Sequence, residues 1–218
     1  MPTEGAAAEG GGCRNEGHMS KTVEFFYDFT SPTAYLAWRR LPDILKRTGA
    51  SVRYRPMFLG GVMQATGNKP PGTLPAKGKW MSADLQRWAK KFNTPFSFNP
   101  HFPMMTLMVQ RAASEWVDRP DFERYLAAIF NASWQDQKNV GDKAVLGEVL
   151  TNAGFSAEDF FAAAENPANK DKLKATTEEA VARGVFGAPT FFVQTSDGEE
   201  MHFGQDRLDF VEDALSRA

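Results

Sequence analysis

The residues best suited to chemistry are in Asp28-Phe29-Thr30-Ser31-Pro32. This segment joins the end of an apolar strand to the start of a helix. At such a junction the unpaired N–H groups and the macrodipole of the helix favour an anion. A serine hydroxyl placed there can donate to a thiolate. Each unit by which a thiol pKa falls is worth about 1.36 kcal/mol in favour of the charged form. The plainer role for Ser31 is to cap its helix, since serine is a preferred N-cap residue.

Three further segments carry polar or conformational signals. Gly187-Ala188-Pro189-Thr190 sets a proline just before a strand. Trans is the ordinary state, because only about 5–6% of X–Pro bonds in folded proteins are cis. A cis bond would turn the Ala188 N–H and C=O toward a bound peptide. In Phe203-Gly204-Gln205-Asp206-Arg207, Asp206 either caps the last helix or binds a charged amino group. The polar run from Gly67-Asn68-Lys69-Pro70-Pro71 to Lys77 either holds a carboxylate or is a solvated loop. His101 reads as a polar loop residue, Met104 and Met105 as gap-filling apolar residues, and Phe25-Phe26-Tyr27 as core.

The elements that position these segments follow from periodicity and punctuation. Val23–Asp28 and Ser51–Pro56 read as strands. Between them lies a helix with Tyr35, Leu36, Trp38, Leu41, Ile44 and Leu45 at helical spacing, Pro32 at its start, an expected kink at Pro42 and a stop at Gly49. Strand, helix and strand fit a right-handed parallel crossover. Gly60–Pro75 reads as a long loop. Helical stretches are predicted at Lys79–Phe92, Met104–Val117, Pro120–Trp134 and Asp142–Ala153, with Asp142 as a cap and Gly154 as a stop. Another begins after the capping pattern at Ser156, and one more runs from Pro167 to near Gly184. Thr190–Gln194 and Glu200–Phe203 then form a hairpin about Asp197-Gly198, and Asp206–Leu215 is a closing helix. The end pieces cannot each bury a sheet face alone. They are expected to join into one four-stranded α/β sheet core, residues 20–59 and 184–218, with residues 60–183 as an all-helical insertion.

Composition narrows the function classes. The chain has 218 residues, 42% hydrophobic and 24% charged, with a formal net charge of -2. There is no basic excess to bind nucleic acid, and no apolar run near the roughly 20 residues that span a bilayer. The only cysteine is Cys13, so an intramolecular disulfide and a Cys-x-x-Cys pair are both impossible, which fits a reducing compartment such as the cytoplasm. Three scattered histidines give no metal site. Met1–His18 is rich in Gly, Ala and Glu, and disorder is expected there. Gly17-His18-Met19 reads like a cloning junction, with Met19 as a natural start.

Taken together and in this order, the motifs resemble one family. Phe26-Tyr27-Asp28-Phe29-Thr30-Ser31-Pro32-Thr33-Ala34-Tyr35-Leu36-Ala37 is similar to the signature shared by 2-hydroxychromene-2-carboxylate isomerases and kappa-class glutathione transferases. Gly67–Lys77 resembles the kappa-class loop, and Asp84-Leu85-Gln86-Arg87-Trp88 resembles a stretch of the isomerases. Phe186–Thr190 and Phe203–Arg207 resemble both branches. The resemblance implies a thioredoxin-like core with a helical insertion of the DsbA type, glutathione as cofactor, an aromatic small-molecule substrate and a homodimer. It further implies that Ser31 faces the glutathione sulfur, that Ala188 pairs with the cysteinyl unit beside a cis Pro189, and that Gln205 and Asp206 bind the γ-glutamyl end. Asn68 and Lys77 match loop residues near the tripeptide and the substrate carboxylate. DsbA-type oxidants need two cysteines three apart at the first helix start. Here Ser31 and Ala34 stand at that spacing, so disulfide chemistry is excluded. The expected activity is glutathione-dependent isomerisation of 2-hydroxychromene-2-carboxylate, or of a related aromatic catabolite. Conjugation of glutathione to an electrophile is the alternative.

Overall fold

The computed structural model describes residues 21–218. The expectations for Met1–His18, Cys13 and the start at Met19 lie outside the described residues. Strand β1 (Thr22–Tyr27) is followed by helix α1 (Pro32–Thr48) and strand β2 (Ser51–Pro56). β1 and β2 pair in parallel, Phe25 opposite Tyr54, as the crossover requires. Strands β3 (Thr190–Thr195) and β4 (Gly198–Phe203) form the predicted hairpin, and β3 runs antiparallel beside β1. The sheet order is β2-β1-β3-β4. Between β2 and β3 lie α2 (Leu59–Thr66), α3 (Pro75–Lys91), α4 (Leu107–Trp116), α5 (Phe122–Trp134), α6 (Lys143–Asn152), α7 (Ala157–Glu165) and α8 (Pro167–Ala182). A short 3-10 turn, Gln205–Arg207, leads into α9 (Leu208–Ser216). No helix among the described residues is long and apolar enough to cross a membrane.

Alternation along β1 sends Val23, Phe25 and Tyr27 to one face and Phe26 to the other. The first set joins Phe191 and Val193 in a buried cluster that runs without a break into α1, α4, α5, α6, α7 and α9. Phe25 stacks on Phe191 with ring centroids 5.1 Å apart. Phe26 and Phe192 pack edge to face on the opposite side, with Val62 of α2 and Ala180 of α8. The central strands are therefore covered on both faces, and β1 ends inside the molecule.

Several expectations change. Gly60–Pro75 is not one long loop: α2 forms at Leu59–Thr66, stopped by Gly67 in the left-handed region (φ 71°). Its first N–H, from Leu59, donates to the Asp28 carboxylate at 2.8 Å. A cap from a residue so far away in sequence leaves no local signature. α3 starts at Pro75 rather than Lys79, with the proline in the first turn, where its missing N–H costs nothing. Asp206 does not cap the closing helix, which starts at Leu208 after an uncapped Arg207. Met104 is buried as expected, but Met105 is exposed and fills no gap. Asp142 and Ser156 do cap their helices, accepting from Ala144 and Val145 N–H and from Asp159 N–H.

Candidate active site

The turn after β1 is held from every side. The Ser31 N–H donates to the Asp28 carbonyl at 3.0 Å, and the Thr30 N–H to the Asp28 carboxylate at 3.0 Å. The Thr106 hydroxyl, just before α4, donates to that carboxylate at 2.6 Å. Trp134 Nε1 of α5 donates to the Phe29 carbonyl at 2.8 Å. Gln110 Nε2 of α4 bridges the Tyr27 and Met57 carbonyls at 2.8 and 2.7 Å. Asp28 is fully buried, and burial pushes its carboxyl pKa up against the pull of its three hydrogen bonds. Sequence reasoning missed Asp28 as the organiser of this turn. The available signal was an acid at the end of an otherwise apolar strand.

Ser31 is the N-cap of α1, and its Oγ accepts from the Ala34 N–H at 3.1 Å. No acidic residue occupies the first turn of α1 to oppose an anion; the acid nearest in the chain is Asp28, whose carboxylate is taken up by Thr30, Leu59 and Thr106. The Ser31 hydroxyl also donates to the Ala188 carbonyl at 3.1 Å, and the Thr33 hydroxyl donates to the same oxygen at 3.0 Å. The two hydroxyl oxygens are 2.8 Å apart. Ser31 is 4% exposed and Ala188 8%, while Thr33 is half-buried. The Ala188–Pro189 peptide is cis, as the resemblance implies; Phe102–Pro103 is cis too, which was not foreseen. The capping hydroxyl of Ser31, the hydroxyl of Thr33 and one backbone carbonyl thus form a compact polar cluster where α1 meets the lead into β3.

Other expected residues gather at this lead with different closeness. Asn68 Nδ2 donates to the Phe186 carbonyl at 2.8 Å, tying the loop after α2 to the stretch before Ala188. The Gly204 N–H donates to the Pro189 carbonyl at 3.0 Å, which brings Gln205 and Asp206 alongside. Gly204 has φ 101°, and an added Cβ would strike the Asp206 carboxylate, so the acid folds back over a position only glycine suits. Gln205 is buried; Asp206 is exposed and paired with Arg207 at 2.8 Å. Lys77 is exposed in the first turn of α3, and among the described residues no hydrogen bond or ion pair joins it to the cluster. Phe186 and Phe203, each 39% exposed, pack with ring centroids 4.5 Å apart, and the Phe203 ring covers Gly187. This apolar shelf beside Ala188 was also not singled out from the sequence. No group of acid, His and Cys side chains among the described residues is arranged to hold a metal.

A mixed four-stranded sheet with a helix N-terminus facing a cis-proline segment defines the thioredoxin class of fold. The chain belongs to the DSBA-like thioredoxin domain family, which matches residues 22–216. It is 32% identical to the 2-hydroxychromene-2-carboxylate isomerase of Sphingobium xenophagum over 206 residues, covering 90% of this chain and 99% of that one. It is 28% identical to glutathione S-transferase kappa 1 of Homo sapiens, covering 89% of this chain and 91% of that one. A solved structure of 2-hydroxychromene-2-carboxylate isomerase superposes with a TM-score of 0.80 at 29% identity, covering 90% of this chain and 95% of that chain.

Proposed function

We propose that this protein is a glutathione-dependent isomerase that interconverts 2-hydroxychromene-2-carboxylate and trans-o-hydroxybenzylidenepyruvate, or a related aromatic pair. The observation that carries the reading is the Ser31 hydroxyl at the start of α1, 3.1 Å from the Ala188 carbonyl and next to cis Pro189. The donor set suits glutathione. The Ser31 hydroxyl and the N-terminus of α1 favour a sulfur anion. The Ala188 backbone offers peptide groups to the cysteinyl unit. Asp206 offers a carboxylate to the γ-glutamyl ammonium, with Gln205 beside it.

Bound glutathione supplies a thiolate whose reversible addition to the conjugated acid turns a double bond into a single bond that can rotate before elimination. The protein's part is to hold that thiolate charged and in place. Ser31 donates a proton without giving it up. Asp28 keeps the turn rigid, so the donor is oriented before the substrate arrives. Asn68 and Lys77 hold the tripeptide and the substrate carboxylate. The shelf of Phe186 and Phe203 offers apolar area to an aromatic ring. The resemblance supports a homodimer, and the lone Cys13 supports a cytoplasmic setting.

A kappa-type transferase is the second reading, favoured by the 28% identity to the human kappa 1 enzyme. It uses the same thiolate and differs in leaving the sulfur on the product. The ultraviolet spectrum of 2-hydroxychromene-2-carboxylate, followed over time with enzyme and with or without glutathione, tests the proposal. Conversion that requires glutathione supports the isomerase. No conversion, with glutathione consumed by a general electrophile, supports the transferase.

A further inference from the structure

Met105 is 64% exposed, although both of its neighbours are buried: Met104 is 5% exposed and Thr106 2%. A single exposed apolar side chain is ordinary and needs no account. What sets Met105 apart is where its backbone is held. The Met104 carbonyl accepts from the Thr30 hydroxyl at 3.3 Å, and the Thr106 hydroxyl donates to the Asp28 carboxylate at 2.6 Å. Met105 is thus flanked in the chain by two residues bonded to the turn that carries Ser31, and Thr30 is the residue next to Ser31. Gly141 packs on the same backbone: a Cβ there would come within 3.2 Å of the Met105 N and O, a close approach that the missing side chain permits. Asn99 Nδ2 reaches Met104 Sδ at 3.3 Å, so Met104 turns inward. The segment is clamped, and the Met105 side chain is left to solvent.

Exposed apolar surface therefore reaches Ser31 by two routes. Phe186 and Phe203 adjoin it from the sheet through Ala188, whose carbonyl accepts from the Ser31 hydroxyl. Met105 adjoins it from the helical insertion through Thr30. We propose that Met105 is a specificity-determining residue: its side chain packs on the aromatic ring of the substrate while the glutathione sulfur is held at Ser31. The inference rests on the proposed function and deepens it. Methionine suits this task. Its unbranched chain adapts to the face or edge of a ring, and its sulfur makes favourable contacts with aromatic edges. Covering it with the ring removes from water apolar area that the free protein leaves exposed. The thioether is only a weak acceptor, so the side chain has little to offer the charged ends of the tripeptide. Its effect falls on the ring and not on glutathione.

The test is calorimetry on the glutathione-loaded protein with two acids that cannot take up sulfur. Chroman-2-carboxylate keeps the aromatic ring, and oxane-2-carboxylate lacks it. The wild type is expected to bind the chroman acid about tenfold more tightly than the oxane acid. Met105→Ala and Met105→Gln should lower that ratio roughly three- to fivefold, and Met105→Leu should keep it within about twofold of wild type. Glutathione affinity should stay within about twofold of wild type in all three variants. A wild-type ratio in Met105→Ala, or a fall in glutathione affinity that matches the fall for the chroman acid, would overturn the role of Met105 and leave the proposed function standing. A loaded wild type that binds the two acids alike would overturn the aromatic substrate and the role of Met105 together.

Discussion

Ser31 Oγ and the Ala188 carbonyl oxygen lie 3.1 Å apart although 157 residues separate them in the chain. The contact closes the start of α1 onto the lead into β3, and the helices between β2 and β3 hold both sides. Its consequences extend from stability to ligand selectivity.

Ser31→Ala removes the cap of α1 and, on the proposed function, the donor to the thiolate. The cap loss is expected to cost about 1 kcal/mol in urea unfolding, typical of an N-cap serine. The rate loss is expected to be larger, about 100-fold in kcat, because a donor aimed at developing charge is removed. Glutathione affinity, measured by calorimetry, should change much less. A variant with wild-type kcat would remove Ser31 from the chemistry.

Asp28→Asn tests the buried organiser. One carboxylate oxygen accepts from Thr30 and Thr106, and the other from Leu59. An amide in either orientation sets its NH2 against a backbone N–H, at an expected cost of about 1–3 kcal/mol. The pH dependence has a definite sign. The folded carboxyl pKa is raised above its ordinary value of 3.8, so the stability Asp28 contributes is fully present below that value and lost as pH rises through the folded pKa. The gap between wild type and variant, read from urea midpoints at several pH values, should therefore narrow as pH rises. A widening gap would mean that hydrogen bonding outweighs burial.

Asp206→Asn tests the γ-glutamyl contact. The wild type is expected to bind glutathione about tenfold more tightly than the analogue lacking the γ-glutamyl ammonium, and the variant to bind the two alike. Equal discrimination in both proteins would assign Asp206 only to its pairing with Arg207.

Lys77→Ala is expected to raise the KM for the carboxylated substrate roughly three- to fivefold, the scale of an exposed ion pair. Thermal stability should not move, since Lys77 is exposed and unpaired among the described residues. An unchanged KM with full activity would place the carboxylate elsewhere.

The parts legible in the sequence were those whose signals are local. Phe25-Phe26-Tyr27 alternates as a buried strand, Pro32 and Gly49 bracket α1, and Asp197-Gly198 turns the β3–β4 hairpin. The parts that were not legible are stabilised across the fold. The cap of α2 comes from Asp28, which precedes Leu59 by a strand and a helix. The contact of the Thr33 hydroxyl with the Ala188 carbonyl forms only when α1 meets the lead into β3. Asp206 stands where the sequence starts the closing helix, yet the chain makes a 3-10 turn there, and the acid turns to Gly204 and Arg207 instead. Ser31, Ala188, Asn68, Gln205 and Asp206 are brought together by the β3 lead, whereas Lys77 is not joined to them.

The most direct measurement is the free-thiol count after many turnovers of 2-hydroxychromene-2-carboxylate in the presence of glutathione. The substrate spectrum is expected to reach equilibrium with the thiol count unchanged, because the sulfur leaves the product each cycle. Loss of one thiol for each substrate converted would contradict the isomerase and make the protein a transferase.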